Sequence, residues 1–440
     1  MKTLLFAGGL ICLAMTASLA EPPAGAGGDD WPRFLGPAHN ATSRETKLLK
    51  TWGKDEPKLL WEFAKGTGHA SPAVSGKSLV LFHRVGTRET VDCLEAETGK
   101  ALWKFDYEAP YRDRYGSGDG PKTNAVIAEG RVFVFGISGQ LHCLELANGN
   151  VLWKRDPGAE YRMKPNFFGH GSTPLVLGNR LIVQLGGEGD ACVVAFDTAT
   201  GKPLWTATHP WGSSYASPVP ATLHGRECVL VFAGGESRPP TGGLLCIDAK
   251  TGQVLNATPH RSTIAESVNA SSPVVVGNRV FVTEAYGAGG AMIEIAPDFS
   301  AKPLWKADDF SAYFMTPVAR DGYLYGCSGQ QPRLAELVCY EAATGREMWR
   351  DDLGGKFQRA SLLAVDGAFL CLGENGLLAW LDLSPKGAAV IASKPLFSAP
   401  ESWTLPALSR GLLYISQNGR DAAGKGPRLR CYDLRGQSVF

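Results

Sequence analysis

The side chains best suited to chemistry stand at one repeated place in the sequence, three or four residues before a recurring proline. They are aromatic, basic or amide-bearing, and such groups recognise small anionic or planar ligands. The candidate ligand or partner surface comprises His69, Lys122, His170, Tyr215, Asn269, Tyr313, Phe314, Arg359 and Trp403. The alternative is that these are solvated polar residues at an opening, with no specific role.

Carboxylates do not occur at these aligned positions. Glu266, Asp309 and Glu401 lie nearby in the sequence but out of register. General-base catalysis and calcium binding both rely on such groups, and a sugar-acting enzyme needs a pair of them. His69 and His170 could meet as metal ligands, but they lie two repeats apart. The sequence therefore predicts no catalytic residue and no metal site.

The elements that position these residues come from a unit recurring roughly every fifty residues, a spacing typical of stacked repeats. Its tail reads Thr-Gly or Asn-Gly followed four residues later by tryptophan, as at Gly99 and Trp103. The glycine supplies the turn, and the following strand places the indole against the neighbouring unit. The predicted docking residues are Trp61, Trp103, Trp153, Trp205, Trp305 and Trp349.

Each unit also contains short β-branched and aromatic runs separated by Gly-Asn, Asp-Gly or Glu-Gly, which predict four antiparallel strands. Eight units begin near Ala70, Thr123, Ser172, Ala216, Ser271, Thr316, Ser361 and Leu405. The last unit supplies only three strands, and an unpaired strand at 58–63 stands near the N-terminus. The prediction is an all-β, eight-bladed β-propeller in which the N-terminal strand joins the C-terminal blade and closes the ring.

These repeats resemble the pyrroloquinoline-quinone-like (PQQ-like) repeat over about residues 59 to 434, and residues 30–37 are similar to the entry segment of exported propellers in that superfamily. The superfamily includes quinoprotein dehydrogenases and non-enzymatic scaffolds such as outer-membrane assembly lipoproteins. The resemblance implies that an enzyme of this type would hold PQQ with calcium beside a carboxylate base. The adjacent Cys-Cys pair common in the alcohol-oxidising members is absent from this sequence.

The bulk properties favour an exported protein. Residues 1–20 carry one lysine, an apolar run and small residues before Ala20, which predicts a cleaved signal peptide. An entry segment would then span 21–57 and the propeller 58–440. Lys plus Arg number 44 against 43 Asp plus Glu, so nothing indicates nucleic-acid binding. No other stretch is long enough to span a membrane.

Cleavage at this point would leave nine of the ten cysteines. Five of them recur at one repeat position, two residues before an acid, which predicts separate buried thiols. Cys228 with Cys246, and Cys327 with Cys339, could each face one another across a hairpin, and either pair could form a disulfide.

Taken together, the sequence predicts a periplasmic or extracellular, monomeric, non-catalytic propeller that binds a protein, peptide or glycan over one ring face. The alternative is a PQQ- and calcium-dependent oxidoreductase resembling alcohol or sugar dehydrogenases.

Overall fold

The computed structural model describes residues 28–116, 118–164, 166–264, 266–329, 335–402 and 404–436. Within these ranges, 32 strands form eight four-stranded antiparallel sheets, which are the blades. The eight-bladed β-propeller is confirmed. The predicted signal peptide lies outside the described residues. No helix in the described part of the chain has the length and apolar character needed to cross a membrane.

Blades 1 to 7 each run from the innermost to the outermost strand in chain order. Blades 1 to 4 consist of β2 Ala73–Ser75, β3 Ser78–Val85, β4 Arg88–Glu95, β5 Ala101–Glu108; β6 Val126–Ala128, β7 Arg131–Phe135, β8 Leu141–Glu145, β9 Val151–Arg155; β10 Leu175–Leu177, β11 Arg180–Gln184, β12 Ala191–Asp197, β13 Pro203–Thr208; β14 Val219–Leu223, β15 Arg226–Ala233, β16 Gly243–Asp248 and β17 Val254–Pro259. Blades 5 to 7 consist of β18 Val274–Val276, β19 Arg279–Glu284, β20 Gly289–Ile295, β21 Ala301–Ala307; β22 Val318–Arg320, β23 Tyr323–Ser328, β24 Glu336–Glu341, β25 Glu347–Asp351; β26 Ala360–Val365, β27 Ala368–Gly373, β28 Leu377–Ser384 and β29 Gly387–Pro395.

Blade 8 combines both ends of the chain. Its inner strands are β30 Ala407–Ser409, β31 Leu412–Gln417 and β32 Arg428–Asp433, and its outermost strand is β1 Lys58–Ala64, which pairs antiparallel with β32. The only α-helix among the described residues is Pro157–Glu160, with 3-10 turns at Glu188–Asp190 and Leu353–Gly355. Closure by the N-terminal strand is therefore confirmed, and it pairs one edge of β32 that would otherwise be exposed.

The hydrophobic core lies between neighbouring blades. The second and third strands of a blade are buried on both faces, as in β3 and β4, because each face packs against an adjacent sheet. One buried cluster, for example, joins Val80 and Phe82 of blade 1 to Val132 and Val134 of blade 2. Such continuous apolar runs are expected of strands covered on both faces.

The six tryptophans of the repeat tail all make the same hydrogen bond. Each indole nitrogen donates to a backbone carbonyl of the next blade, as from Trp205 Nε1 to Ala249 O at 3.1 Å. The ring of Trp205 lies over the turn glycine of that blade, Gly252, where an added Cβ would stand 2.6 Å from the indole. Gly252 also has a φ of +77°, so this position requires glycine for two reasons. The indoles are half-buried rather than enclosed.

We expect Trp205→Ala to lower the free energy of unfolding by about 2–3 kcal/mol, less than the cost of truncating a fully enclosed tryptophan because the ring is half-buried. Leu204, its neighbour on β13, is 46% exposed and provides the control. Leu204→Ala should change stability by less than about 0.5 kcal/mol. Equal melting temperatures for wild type and Trp205→Ala would contradict a docking role.

A belt of hydrogen bonds joins the innermost strands at their first residues. In five consecutive steps a backbone N–H donates to a side-chain oxygen of the corresponding residue in the next blade. The steps run from Ser71 to Asn124, Thr173, Ser217, Ser272 and Thr316, with distances of 3.2, 3.0, 3.0, 3.0 and 3.0 Å. The Ser71 hydroxyl donates to the Leu405 carbonyl of blade 8. The hydroxyl or amide residue that precedes most of the repeat prolines is therefore an acceptor between blades.

The entry segment crosses the other end of the channel. Trp31 is 1% exposed and forms an antiparallel bridge with Val74 of blade 1. The Glu45 carboxylate accepts from the backbone N–H groups of Arg410 and Gly411 in blade 8, each at 2.6 Å. Leu48 N–H donates to Asp366 Oδ2, beyond the end of the innermost strand of blade 7. The segment therefore links blades 7, 8 and 1 across the closing seam.

All nine cysteines in the described residues are buried and free. Cys228 and Cys246 lie close enough for one thiol to hydrogen-bond the other, whereas Cys339 contacts Tyr325. The four cysteines of the two pairs that could have formed disulfides are therefore free thiols in this structure.

Candidate functional site

A cavity of about 380 Å³ occupies the channel at the end where the innermost strands begin, and we call it the mouth cavity. All eight blades contribute to its wall. Of the residues predicted for the candidate surface, those that line it are His69, Lys122, Tyr215, Tyr313, Phe314 and Arg359. Its volume falls within the range of small-molecule sites.

The entry segment forms the floor of the mouth cavity. Phe34, Leu35 and Ala41 reach it from the opposite end of the channel. Leu35 and Ala41 are buried, at 3% and 1% exposure. The entry segment therefore bounds the cavity at the end opposite the mouth.

Two predicted residues do not line the cavity. His170 and Asn269 are 4% and 1% exposed, because both side chains turn away from the channel and contact the preceding blade. The His170 ring packs against Phe135, and Asn269 Nδ2 donates to the carbonyl of Ala233 at 3.2 Å. Burial lowers the pKa of His170 to about 4, which keeps it neutral. Both residues are structural.

Trp403 lies outside the described residues. Within the described ranges, no three histidine, cysteine or acidic side chains cluster as metal ligands. His170 does not reach the cavity that His69 lines, so the structure gives no basis for pairing these two as ligands.

Each of the two cations in the wall stands near a carboxylate. Lys122 Nζ donates to Gly118 O at 3.1 Å and lies 3.9 Å from Asp113 Oδ2. Burial lowers the pKa of Lys122 to about 8, although neighbouring carboxylates oppose the shift. Arg359 is ion-paired with Glu374.

Aromatic rings make up much of the remaining wall. The Arg359 guanidinium lies 5.7 Å from the ring centroid of Phe314 and 5.9 Å from that of Tyr313. Further round the ring, the Tyr215 hydroxyl accepts from the backbone N–H of Phe168 at 2.9 Å, and the two rings are 6.0 Å apart. The Arg359 guanidinium therefore already lies beside the rings of Phe314 and Tyr313.

Glu401 was missed by the sequence alignment. It lines the mouth cavity two residues before the aligned position of blade 8, with a φ of +64°. The aligned positions themselves contain no carboxylate, but the nearby Glu401 adds one to the lining of the mouth. Glu401 stands out of register because the linker between blades 7 and 8 turns through left-handed backbone there. Only its proximity to the aligned position could have indicated it.

A buried lysine supports the wall beside His69. Lys65 Nζ donates to Gly68 O at 3.0 Å and to Asn418 Oδ1 at 2.9 Å. Asn418 Nδ2 lies 3.3 Å from His69 Nδ1 and 3.0 Å from Thr404 Oγ1. Burial lowers the pKa of Lys65 to about 7. Neither Lys65 nor Asn418 occupies a repeat position that would have drawn attention in the sequence.

Comparison with known proteins identifies the repeat. A family model described as outer membrane protein assembly factor BamB matches residues 87–350, well over half of the chain. The chain belongs to this family. BamB of Burkholderia pseudomallei (strain K96243) is 26% identical over 305 residues, covering 67% of this chain and 68% of that protein. The PQQ-like repeat inferred from the tails is thus confirmed.

Solved structures share the architecture of this BamB family member. The crystal structure of BamB from Moraxella catarrhalis has a TM-score of 0.57 at 14% identity, covering 87% of this chain and 99% of that one. A europium-containing methanol dehydrogenase has a TM-score of 0.67 at 12% identity, covering 92% and 98%. At these identities the likeness shows the fold alone.

The mouth cavity of this BamB family member does not fit a calcium-held quinone. Calcium takes six to eight oxygen ligands, several of them carboxylates. Glu401 is the only acidic residue among the described lining. The side-chain oxygens of Asn124, Thr173 and Ser217 in the wall already accept backbone hydrogen bonds of the belt. The donor set is too poor in free oxygens for this role.

Proposed function

We propose that this chain is an exported, non-catalytic binding module that holds a protein partner over its mouth face. The observation that carries the proposal is the mouth cavity, which concentrates charged and aromatic side chains at one end of the channel and is bounded at the other end by the entry segment. Membership of the family of outer membrane protein assembly factor BamB supports a role among proteins rather than in turnover of a substrate.

The shape of the mouth face supports insertion of a partner side chain. Tyr115 stands 58% exposed on the linker between blades 1 and 2. Its ring contacts Phe167 at 5.4 Å and Phe168 at 5.7 Å, and Phe168 in turn lines the cavity. Aromatic surface thus continues from the exposed rim into the pocket. Exposed aromatic anchors beside a pocket are typical of protein interfaces.

Affinity capture from native envelope extract tests the proposal. Ala270 lines the cavity, so Ala270→Trp should fill it, whereas Lys250→Trp places the same side chain on an exposed turn of the opposite face. Wild type and Lys250→Trp should retain the same protein, and Ala270→Trp should lose it. Equal capture by all three would place binding away from the mouth. Repeated capture of a glycan or of nothing would count against a protein partner.

A cofactor titration tests the non-catalytic half of the proposal. PQQ and calcium added together to the purified protein should produce neither a bound quinone absorbance nor reduction of an electron-accepting dye, because the described wall offers one carboxylate. A quinone signal that Arg359→Ala abolished would instead favour the dehydrogenase alternative.

A further inference from the structure

The belt of hydrogen bonds between blades leaves hydrogen-bond donors in the wall of the mouth cavity. Thr173, Ser217 and Thr316 line the cavity, and each side-chain oxygen accepts a backbone N–H of the preceding blade at 3.0 Å. A hydroxyl that accepts in this way still has one O–H to donate. Among the described residues, none of the three hydroxyls donates to an acceptor. Their hydrogens therefore remain for a ligand.

Asn124 adds a donor whose orientation is fixed by the belt. Its Oδ1 accepts from the backbone N–H of Ser71 at 3.2 Å, so the amide cannot be reversed without placing an NH2 group against that N–H. Nδ2 is buried without a hydrogen-bond partner in the described part of the chain. The residue is 3% exposed and lines the cavity. Because buried polar atoms are rarely left unsatisfied, Nδ2 is suited to an acceptor atom of an occupant.

Lys122 precedes Asn124 by two residues and also lines the cavity. An ammonium group has three N–H donors, and Lys122 gives one of them to Gly118 O at 3.1 Å. Asp113 Oδ2 lies 3.9 Å away, which is beyond hydrogen-bond distance. Burial lowers the pKa of Lys122 to about 8, although four carboxylates, including that of Glu401, oppose the shift. The protein therefore compensates this ammonium incompletely, and contact with a further oxygen would stabilise it.

The charged groups of the lining have the same preference. Its lysine and arginine are Lys122 and Arg359, and its single carboxylate among the described residues is Glu401. Arg359 is ion-paired with Glu374, which lies outside the lining. A cationic ligand would be repelled by both basic side chains and would leave Asn124 Nδ2 unsatisfied. A ligand with a carboxylate brings both the acceptor oxygens and the charge that this wall lacks.

The rim of the mouth is basic and aromatic on the side of blades 1 to 3. Arg112 and Arg114 lie on the linker between blades 1 and 2, and Lys164 lies on the next linker. All three are exposed, and in the described ranges none has an acidic group within ion-pair distance. Tyr115 follows Arg114 and contacts Phe168, which lines the cavity. Exposed charges of one sign steer a partner of opposite charge, so this rim favours an acidic segment.

We propose that the mouth cavity binds an acidic side chain of a protein partner. Lys122 Nζ and Asn124 Nδ2 hold the carboxylate, and the residues on either side of it lie over the basic and aromatic rim. This rests on the proposed function and deepens it, because it gives the chemistry of the bound segment. That segment is an exposed stretch of the partner in which an aspartate or glutamate stands beside aromatic or apolar residues.

Capped peptides that differ in one side chain test the proposal on the full chain at pH 7. They read Ala-Phe-Glu-Phe-Ala, with Gln or Lys in place of Glu, and calorimetry measures their binding. We expect the Glu peptide to bind about tenfold more tightly than the Gln peptide, because a charge-assisted hydrogen bond replaces a neutral one. The Lys peptide should bind least tightly. Lys122→Met should remove the preference for Glu, whereas Lys77→Met, in the exposed turn after β2, should retain it.

Two further variants should change the binding of the Glu peptide in opposite directions. Glu401→Gln removes the single described carboxylate of the lining. It should tighten binding of the Glu peptide about threefold and leave that of the Gln peptide unchanged, because like-charge repulsion is lost. The double variant Arg112→Gln/Lys164→Gln should weaken binding of the Glu peptide about threefold and make it less sensitive to salt, as expected of exposed rim charges.

Equal binding of the Glu and Gln peptides, no binding of the Glu peptide, or an unchanged preference in a folded Lys122→Met would overturn the acidic site. Free glutarate that binds as tightly as the Glu peptide would also overturn it, since the occupant would then be a small acid. Any of these results, with capture still lost in Ala270→Trp, would leave the proposed function standing. Capture retained by Ala270→Trp would refute the proposed function itself.

Discussion

Arg261→Leu should lower the free energy of unfolding by about 3–5 kcal/mol, because it leaves a buried carboxylate without its partner. Arg261 and Glu284 form an ion pair in which the side chains are 5% and 0% exposed. The guanidinium also donates to the carbonyls of Gly235 and Ser267, at 3.2 and 3.0 Å. Burial raises the pKa of Glu284 while Arg261 opposes the rise. This pair fixes the linker between blades 4 and 5 to both sheets.

Arg238 provides the matched control, since its ion pair with Glu266 has side chains 79% and 56% exposed. Arg238→Leu should cost less than about 1 kcal/mol, as exposed pairs contribute little. The double variant Arg261→Leu/Glu284→Leu should recover part of the loss because no buried charge remains. Chemical denaturation at pH 7 measures all three. A free energy of unfolding for Arg261→Leu within about 1 kcal/mol of the wild-type value would show that the ion pair does not stabilise the fold.

Lys65→Met should change how stability depends on pH. The pKa of Lys65 is about 7 in the folded chain, against about 10.4 in an unfolded one. Below pH 7 both states hold the proton, and the cost of burying the charge is present in full. Between these two values the unfolded state holds more protons, so wild-type stability rises with pH. The total rise attributable to this group is of order 4 kcal/mol.

Lys65→Met removes that titration, so the difference in stability between variant and wild type should shift by about 2–3 kcal/mol in favour of wild type from pH 6 to pH 9. Lys77→Met replaces an exposed lysine in the turn after β2 and should show no such shift. Denaturation curves at several pH values decide the matter. Parallel pH profiles for Lys65→Met and wild type would mean that Lys65 keeps its ordinary proton affinity inside the fold.

The fold could be predicted because its signals are local and repeated. The interval from Gly99 to Trp103 fits one turn and one strand, and every copy strengthens the same inference. The shortage of strands in the last unit, set beside the unpaired run at 58–63, was enough to predict closure by the N-terminal strand. No long-range pairing other than that one had to be inferred.

The site was less predictable because it depends on linkers that do not repeat. His170 and Asn269 were placed at the mouth by register alone, but their side chains contact the preceding blades instead. Tyr313 has the same register and does line the cavity, so register does not determine which side chains reach it. Glu401 was set aside because it is out of register, yet the left-handed backbone of its linker brings it into the wall. Lys65 belongs to a contact between residues that are over 350 positions apart in sequence, which no local pattern encodes.

Blade 8 takes β1 from one end of the chain and three strands from the other, and the entry segment crosses the same seam. During synthesis β1 therefore remains unpaired until β32, near the C-terminus, has been made. Contacts of such long sequence separation form slowly and leave strand edges open meanwhile. Nascent chains that end before β32 should therefore aggregate readily and be sensitive to proteases. The closed propeller should resist proteolysis from either terminus.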